Sequence, residues 1–144
     1  MKPLLACQKQ LEDKTIGTPW PPVLLRCPIM ALVPVNLPGV LPAPAAREAA
    51  LIDDARRRIE AFVESRLDRP VHSFVPSDFS LVCGALRGVA MAHLAPGEVF
   101  CEWGSGAGVV ACLAAMAGFD ARGIEFEADL VELSRRLAAD HGLD

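Results

Sequence analysis

The sequence predicts an α/β fold with a parallel sheet, and three observations lead to that class. Short apolar runs at 99–101 and 121–124 are each followed by a helical segment. A glycine-rich loop separates the first run from its helix, and two further amphipathic segments precede both runs. Strand, helix, strand and helix in this order are typical of a parallel sheet with right-handed crossovers.

Residues 1–44 are predicted to be a proline-rich, weakly ordered leader. Nine of the twelve prolines fall in this stretch, and proline removes a backbone donor and fixes φ, which disfavours helices and central strands. Two alternatives stay open. The stretch is a proline-rich ligand for an aromatic groove on a partner, or the natural chain begins at Met30, because no periodicity or motif precedes that residue. We expect residues 1–29 to contribute nothing to folding.

Two helices are predicted before the first strand. From residue 45 onward, apolar residues recur at helical spacing through 52–63, with charged residues between them, which indicates one amphipathic helix. A short β-prone run follows at 71–76. Ser77 is then the expected cap of a second helix, which continues to about residue 93.

The segments after residue 98 alternate between strand and helix. The strand at 99–101 leads into a helix over 107–117, whose residues are small and apolar throughout, as expected of a helix that packs tightly on a sheet. The second strand, 121–124, follows the helix stop at Gly118. Residues 128–139 form a second amphipathic helix after it.

The loop between the first strand and its helix carries the most specific signal. Residues 102–108 read Glu-Trp-Gly-Ser-Gly-Ala-Gly, and ligands of parallel sheets bind at the carboxyl ends of the strands. Gly104 permits a tight turn, Gly106 lets backbone amides approach a ligand, and Gly108 allows the helix to pack closely on the strand. The free amides and the dipole at the helix start favour a negative group.

Two common phosphate-binding patterns do not match this loop. A dinucleotide fingerprint requires glycine where Val109 stands, and a Walker loop requires a lysine, whereas no lysine follows Lys14. Glu125 closes the second strand, 21 residues after Gly104. Rossmann-like sites place at this distance the carboxylate that accepts hydrogen bonds from ribose hydroxyls.

The pattern E-x-G-x-G-x-G at 102–108, followed by Gly123-Ile124-Glu125, resembles the first motifs of class I S-adenosylmethionine (SAM)-dependent methyltransferases. The resemblance implies a Rossmann-like sheet and SAM as cofactor. It also implies that the methionine moiety of SAM is held by five residues, which are Glu102, Gly104, Ser105, Gly106 and Gly108. Glu125 would bind the ribose and Phe126 would flank the adenine. Three residues before the second helix, Phe74, Pro76 and Ser77, are expected to border the pocket.

The resemblance implies methyl transfer from SAM to an unknown acceptor, and it covers only part of the family's domain. It extends from about Phe74 to Asp144 and includes the first two β/α units of a seven-stranded sheet. Residues 45–144 are therefore expected to be the N-terminal part of a SAM-binding domain, inactive as it stands, and no catalytic residue is identified. The alternatives are a non-catalytic SAM-binding remnant or interaction module, and a different Rossmann-type nucleotide-binding domain.

Composition excludes several other classes of function. The net charge is −4, and the segment from Glu98 onward holds nine acidic and three basic residues, which disfavours nucleic-acid binding. The five cysteines include no C-x-x-C pair, so we expect neither disulfides nor a metal site, and a cytoplasmic location. The apolar stretch 23–41 is interrupted by Arg26, Asn36 and prolines, so no membrane span is expected. The oligomeric state is not set by the sequence.

Overall fold

The computed structural model describes residues 41–68, 71, 74–95 and 97–143, and these residues form a mixed α/β structure. Its elements are four helices and two strands in the described part of the chain. In order they are α1 Ala46–Glu64, α2 Phe79–Met91, β1 Val99–Trp103, α3 Val109–Met116, β2 Asp120–Ile124 and α4 Ala128–Asp140. The α/β class predicted from the sequence is confirmed. The predicted leader lies outside the described residues, except for 41–44.

The two strands form a parallel sheet, as the alternation of strand and helix predicts. They pair in register from Val99 opposite Asp120 to Trp103 opposite Ile124. The crossover helix α3 packs against both strands and also contacts α1, α2 and α4. The strand β1 continues two residues beyond its predicted end, so Glu102 lies in the strand rather than in the following loop.

Helix α3 lies at the centre of the hydrophobic core because its residues are small and apolar on every side. Each of the other helices contributes one buried stripe to it. The amphipathic prediction for α1 is confirmed at Ile52, Ala55 and Ile59, which are buried, whereas Val63 at the end of the helix is 45% exposed. The buried apolar residues are Leu51, Ile52, Ala55, Ile59, Phe79, Cys83, Ala107, Val109, Cys112, Leu113, Ala114, Leu130 and Leu137.

The second helix begins one residue later than predicted. Asp78, not Ser77, is the N-cap, and its carboxylate accepts hydrogen bonds from the amides of Ser80 and Leu81 at 3.1 Å each. A carboxylate at this position accepts from two free amides, and its negative charge interacts favourably with the helix dipole. A neutral hydroxyl lacks that charge. In the β-prone run 71–76, the described residues belong to no strand.

The start of α1 is joined to α2 by a buried carboxylate. The Oε2 atom of Glu48 accepts a hydrogen bond from the Ala45 amide at 2.6 Å and another from the Arg87 guanidinium at 3.2 Å. Arg87 also donates to the Ala43 carbonyl at 2.8 Å. Residues 41–44, grouped with the leader by the sequence prediction, therefore contact α2.

None of the helices in the described part of the chain combines the length and apolar character needed to cross a membrane. The apolar stretch 23–41 lies outside the described residues, apart from Leu41.

Candidate functional site

The loop between β1 and α3 is anchored to the end of β2. The amides of Gly104 and Ser105 both donate to the Ile124 carbonyl, at 2.8 and 3.0 Å, and the Gly108 amide donates to the Ser105 carbonyl at 2.8 Å. These bonds hold the loop over the carboxyl ends of both strands, which is the edge at which parallel sheets bind ligands.

At two positions of this loop, a side chain would be disfavoured both by the backbone conformation and by neighbouring atoms. Gly106 and Gly108 have φ angles of +54° and +71°, in the left-handed region that favours glycine. A Cβ at Gly106 would lie 2.9 Å from Cε2 of Phe74, and a Cβ at Gly108 would collide with Ser134 of α4. Gly108 was expected to allow close packing between helix and strand, but the close approach that it allows is between α3 and α4.

Glu125 is the residue that links the second strand to the loop. Its Oε2 atom accepts from the Gly106 amide at 2.8 Å, and its Oε1 atom accepts from the amides of Phe126 at 2.8 Å and Glu127 at 3.0 Å. These backbone hydrogen bonds, with that of Glu127 the largest, lower the pKa of Glu125 below its usual range. A carboxylate accepts about four hydrogen bonds, so roughly one acceptor position stays free for a ligand.

In Glu102, by contrast, one of the two carboxyl oxygens lacks a partner in the described part of the chain. Its Oε2 atom is buried and accepts no hydrogen bond from the described residues. Burial raises the pKa of Glu102 to about 7, and a hydrogen bond from the Ala111 amide offsets only part of this effect. A buried carboxylate oxygen without a hydrogen bond is costly. With a pKa of about 7 the group is about half ionised at neutral pH, and a cation bound beside it would stabilise the anion.

These residues line one open pocket with a volume of about 250 Å³. Most of its walls come from the glycine loop with the start of α3, the segment before α2, and the segment after β2. Six of the seven predicted cofactor residues line it, namely Glu102, Gly104, Ser105, Gly106, Glu125 and Phe126. Gly108 is the exception, since it is buried between α3 and α4. The expectation that Phe74, Pro76 and Ser77 border the pocket is confirmed.

Several features of the pocket were not predicted. Ile59 of α1 and Leu130 of α4 contribute apolar wall, and Glu127 adds a third acidic side chain. Each was visible in the sequence only as part of an amphipathic helix or its start. Trp103, between Glu102 and Gly104, is 81% exposed and lies outside the pocket. Phe126 is 88% exposed at the pocket lining, where a flat ligand could stack on its ring.

Comparisons of the chain with protein-family models, with curated proteins and with solved structures found no match. A function is therefore inferred from the residues of the pocket.

Proposed function

We propose that this chain binds SAM in the pocket at the ends of β1 and β2 and belongs to a methyltransferase of the class I type. One observation carries the proposal. Two carboxylates of different character, Glu102 and Glu125, line the same pocket as the glycine loop. Both strands end at this loop, which is the place where Rossmann-like sheets bind nucleotide cofactors.

The charges of the pocket are complementary to those of SAM. The amides of Val109 and Val110 at the start of α3, and that of Ala107 two residues before it, have no acceptor among the described residues. They are therefore available to the cofactor's carboxylate. The unpaired Glu102 suits the ammonium group beside that carboxylate. The free acceptor position of Glu125 suits a ribose hydroxyl.

When bound, SAM supplies an activated methyl group on a sulfonium sulfur. The contribution of the chain is to hold the cofactor and to orient this methyl group, because transfer depends mainly on positioning. Phe74, Phe79 and Leu130 give one side of the pocket an apolar wall. The methyl acceptor and the groups that contact it are not assigned.

Calorimetric titration with SAM and S-adenosylhomocysteine tests the cofactor assignment. We expect Glu125→Ala to weaken binding about tenfold to a hundredfold, through the loss of charge-assisted hydrogen bonds. The matched control is Glu60→Ala, which removes an exposed carboxylate of α1 outside the pocket and should leave the affinity unchanged.

Because Glu125 also organises the glycine loop, the folded state of each variant is checked by circular dichroism. Glu125→Gln keeps one acceptor oxygen for the Phe126 and Glu127 amides, but its NH2 group cannot accept from the Gly106 amide. Comparison with Glu125→Ala therefore shows how much of the loss comes from the turn at 126–127. If folded Glu125→Ala protein binds SAM as tightly as the control, the assignment is wrong.

Two alternatives make different predictions in the same experiments. A Rossmann-type domain for another nucleotide would bind NAD more tightly than SAM. A non-catalytic SAM-binding module would bind SAM but transfer no methyl group from radiolabelled SAM to any component of a cell extract. Transfer that Glu125→Ala abolishes would identify an enzyme.

A further inference from the structure

The ring of Phe74 fills the space beside Gly106 in the glycine loop. A Cβ on Gly106 would lie 2.9 Å from Cε2 and 3.5 Å from Cδ2 of Phe74, so the edge of the ring occupies the place that a side chain at 106 would take. The Gly106 amide is the donor that reaches Oε2 of Glu125 at 2.8 Å. Phe74 therefore restricts the residue whose amide joins the loop to the end of β2.

The Phe74 ring is in turn held by a residue of α1 that lies outside the pocket. Phe62 contacts it edge to face, with ring centroids 6.2 Å apart and ring planes at 73°, which is a favourable geometry for two aromatic rings. Phe62 is half-buried and is not among the residues that line the pocket. A substitution of Phe62 therefore reaches a bound ligand only through its neighbours.

The Phe62 ring has a second partner, the guanidinium group of Arg66. The Cζ atom of Arg66 lies 5.2 Å from the ring centroid, within the range of a cation–π contact. Arg66 also forms an ion pair with Asp129 in the first turn of α4. One chain of contacts therefore runs from the start of α4 through Arg66 and Phe62 to Phe74 and the glycine loop.

We infer that Phe62 is a positioning residue of this site, which holds the glycine loop in its ligand-binding conformation through the Phe74 ring. The inference rests on the proposed function, since SAM is the ligand whose affinity reports on the loop. A loop that is already in its binding conformation loses less conformational entropy when a ligand binds. Removal of the Phe62 ring leaves every pocket-lining residue present, and it weakens binding because Phe74 and Gly106 become less restricted.

Hydrogen exchange of the ligand-free chain, measured by NMR, tests the positioning role without any ligand. The Gly106 amide is protected by its bond to Glu125, and local opening of the loop exposes it. Phe62→Leu keeps an apolar side chain but removes the ring, and we expect it to speed the exchange of this amide about tenfold. Phe62→Tyr keeps the ring and should restore slow exchange.

A matched control removes an aromatic ring that lies away from the pocket. Phe119 is half-buried like Phe62, and it pairs with Phe100 at a centroid distance of 6.3 Å. Phe119→Leu should leave both the Gly106 exchange and the SAM affinity unchanged. Phe62→Leu should raise the dissociation constant of SAM about threefold to tenfold. Circular dichroism confirms that each variant is folded.

Double-mutant cycles show whether Phe62 acts through Phe74. In the Phe74→Leu background, Phe62→Leu should have almost no further effect on exchange or affinity, because the contact that it removes is already lost. In a second cycle, Gly106→Ala should lower the midpoint of thermal unfolding less in Phe74→Leu than in the wild type. Gly104 also has a positive φ, but a Cβ there has no described neighbour within 4 Å, so Gly104→Ala and Phe74→Leu should be additive.

The inference and the proposed function can fail separately. If the wild-type chain binds no SAM, the proposed function fails, and the Gly106 exchange rates still decide the role of Phe62. Unchanged Gly106 exchange in folded Phe62→Leu, or an equal effect of this substitution with and without the Phe74 ring, would overturn the inference. If Phe62→Leu does not fold, the cycle between Gly106→Ala and Phe74→Leu decides it, and additive effects there would overturn it.

Discussion

The affinity of the pocket for SAM should depend on pH below neutrality, because Glu102 must ionise to pair with the ammonium group of the cofactor. Burial raises the pKa of Glu102 to about 7 in the free protein, because Oε2 has no hydrogen-bond partner among the described residues and the bond from the Ala111 amide offsets only part of the effect. A bound cation stabilises the ionised form and lowers this pKa. Binding is therefore coupled to proton release, and it strengthens as the pH rises toward 7.

The size of the effect follows from the ionised fraction of Glu102. With a pKa of about 7, about half of the free protein is ionised at about pH 7 and roughly 3% at about pH 5.5. If the bound form stays ionised over this interval, the dissociation constant falls about 16-fold, which corresponds to about 1.6 kcal/mol. The amino group of the ligand ionises near pH 8, so it remains charged over most of the interval.

Two neighbouring groups do not titrate in this interval. Hydrogen bonds from backbone amides, that of Glu127 first, lower the pKa of Glu125, so its carboxylate stays ionised. Burial raises the pKa of the Cys112 thiol to about 11, so the thiol stays neutral. The pH dependence can therefore be assigned to Glu102.

Calorimetry at a series of pH values, in two buffers of different ionisation enthalpy, measures both the affinity and the proton release. At about pH 7 we expect roughly half a proton to be released per SAM bound. The Glu102→Gln variant is the control, and its affinity should be weak and independent of pH. A flat profile for the wild type, or the same slope in the variant, would refute the assigned role of Glu102.

Three further predictions concern stability. The folded-state pKa of Glu102 lies above its unfolded value of 4.5, so this residue lowers the stability increasingly as the pH rises from about 4.5 to about 7. With the effect reduced for partial solvent contact, Glu102→Gln should raise the free energy of unfolding by about 1–2 kcal/mol at about pH 8 and by little at about pH 4.5. Gly108→Ala should destabilise the fold by about 1–3 kcal/mol in urea unfolding, because φ is positive at this position and the added Cβ would collide with α4. The control Gly97→Ala should be close to neutral, because a Cβ there has no neighbour within 4 Å. Glu48→Ala should cost about 1–3 kcal/mol in thermal unfolding, because it leaves the Ala45 amide without an acceptor and Arg87 without its carboxylate partner. Arg87→Ala should destabilise the Glu48→Ala variant less than it destabilises the wild type, and strictly additive effects would contradict the ion pair.

The order of the elements could be predicted because hydrophobic periodicity is local. The alternation of strand and helix after residue 98 and the amphipathic stripe of α1 both follow from residues a few positions apart. The ends of the helices and strands were predicted less accurately than their order. The strand β1 continues through Glu102 and Trp103 because their backbone pairs with β2, and the sequence does not reveal that pairing. Asp78 rather than Ser77 caps α2 because the helix begins at Phe79. The sequence alone does not show which of two adjacent capping residues comes directly before the first turn.

In the candidate site, too, the features set by local sequence could be predicted and those set by the whole fold could not. The glycine loop and Glu125 belong to short motifs and were identified as a unit. The free carboxyl oxygen of Glu102 was not foreseen, because burial is a property of the whole fold. The wall formed by Ile59 and the close approach of Ser134 to the loop depend on helices distant in sequence, which periodicity alone cannot place.

Titration of the full chain with SAM, S-adenosylhomocysteine and NAD, under identical conditions near neutral pH, tests the central claim most directly. The pocket should bind SAM and S-adenosylhomocysteine with a measurable affinity and NAD much more weakly, because its two carboxylates match an ammonium group and a single ribose rather than a pyrophosphate. Binding of NAD in preference to both SAM compounds, or no binding of any of the three by the folded protein, would contradict the account.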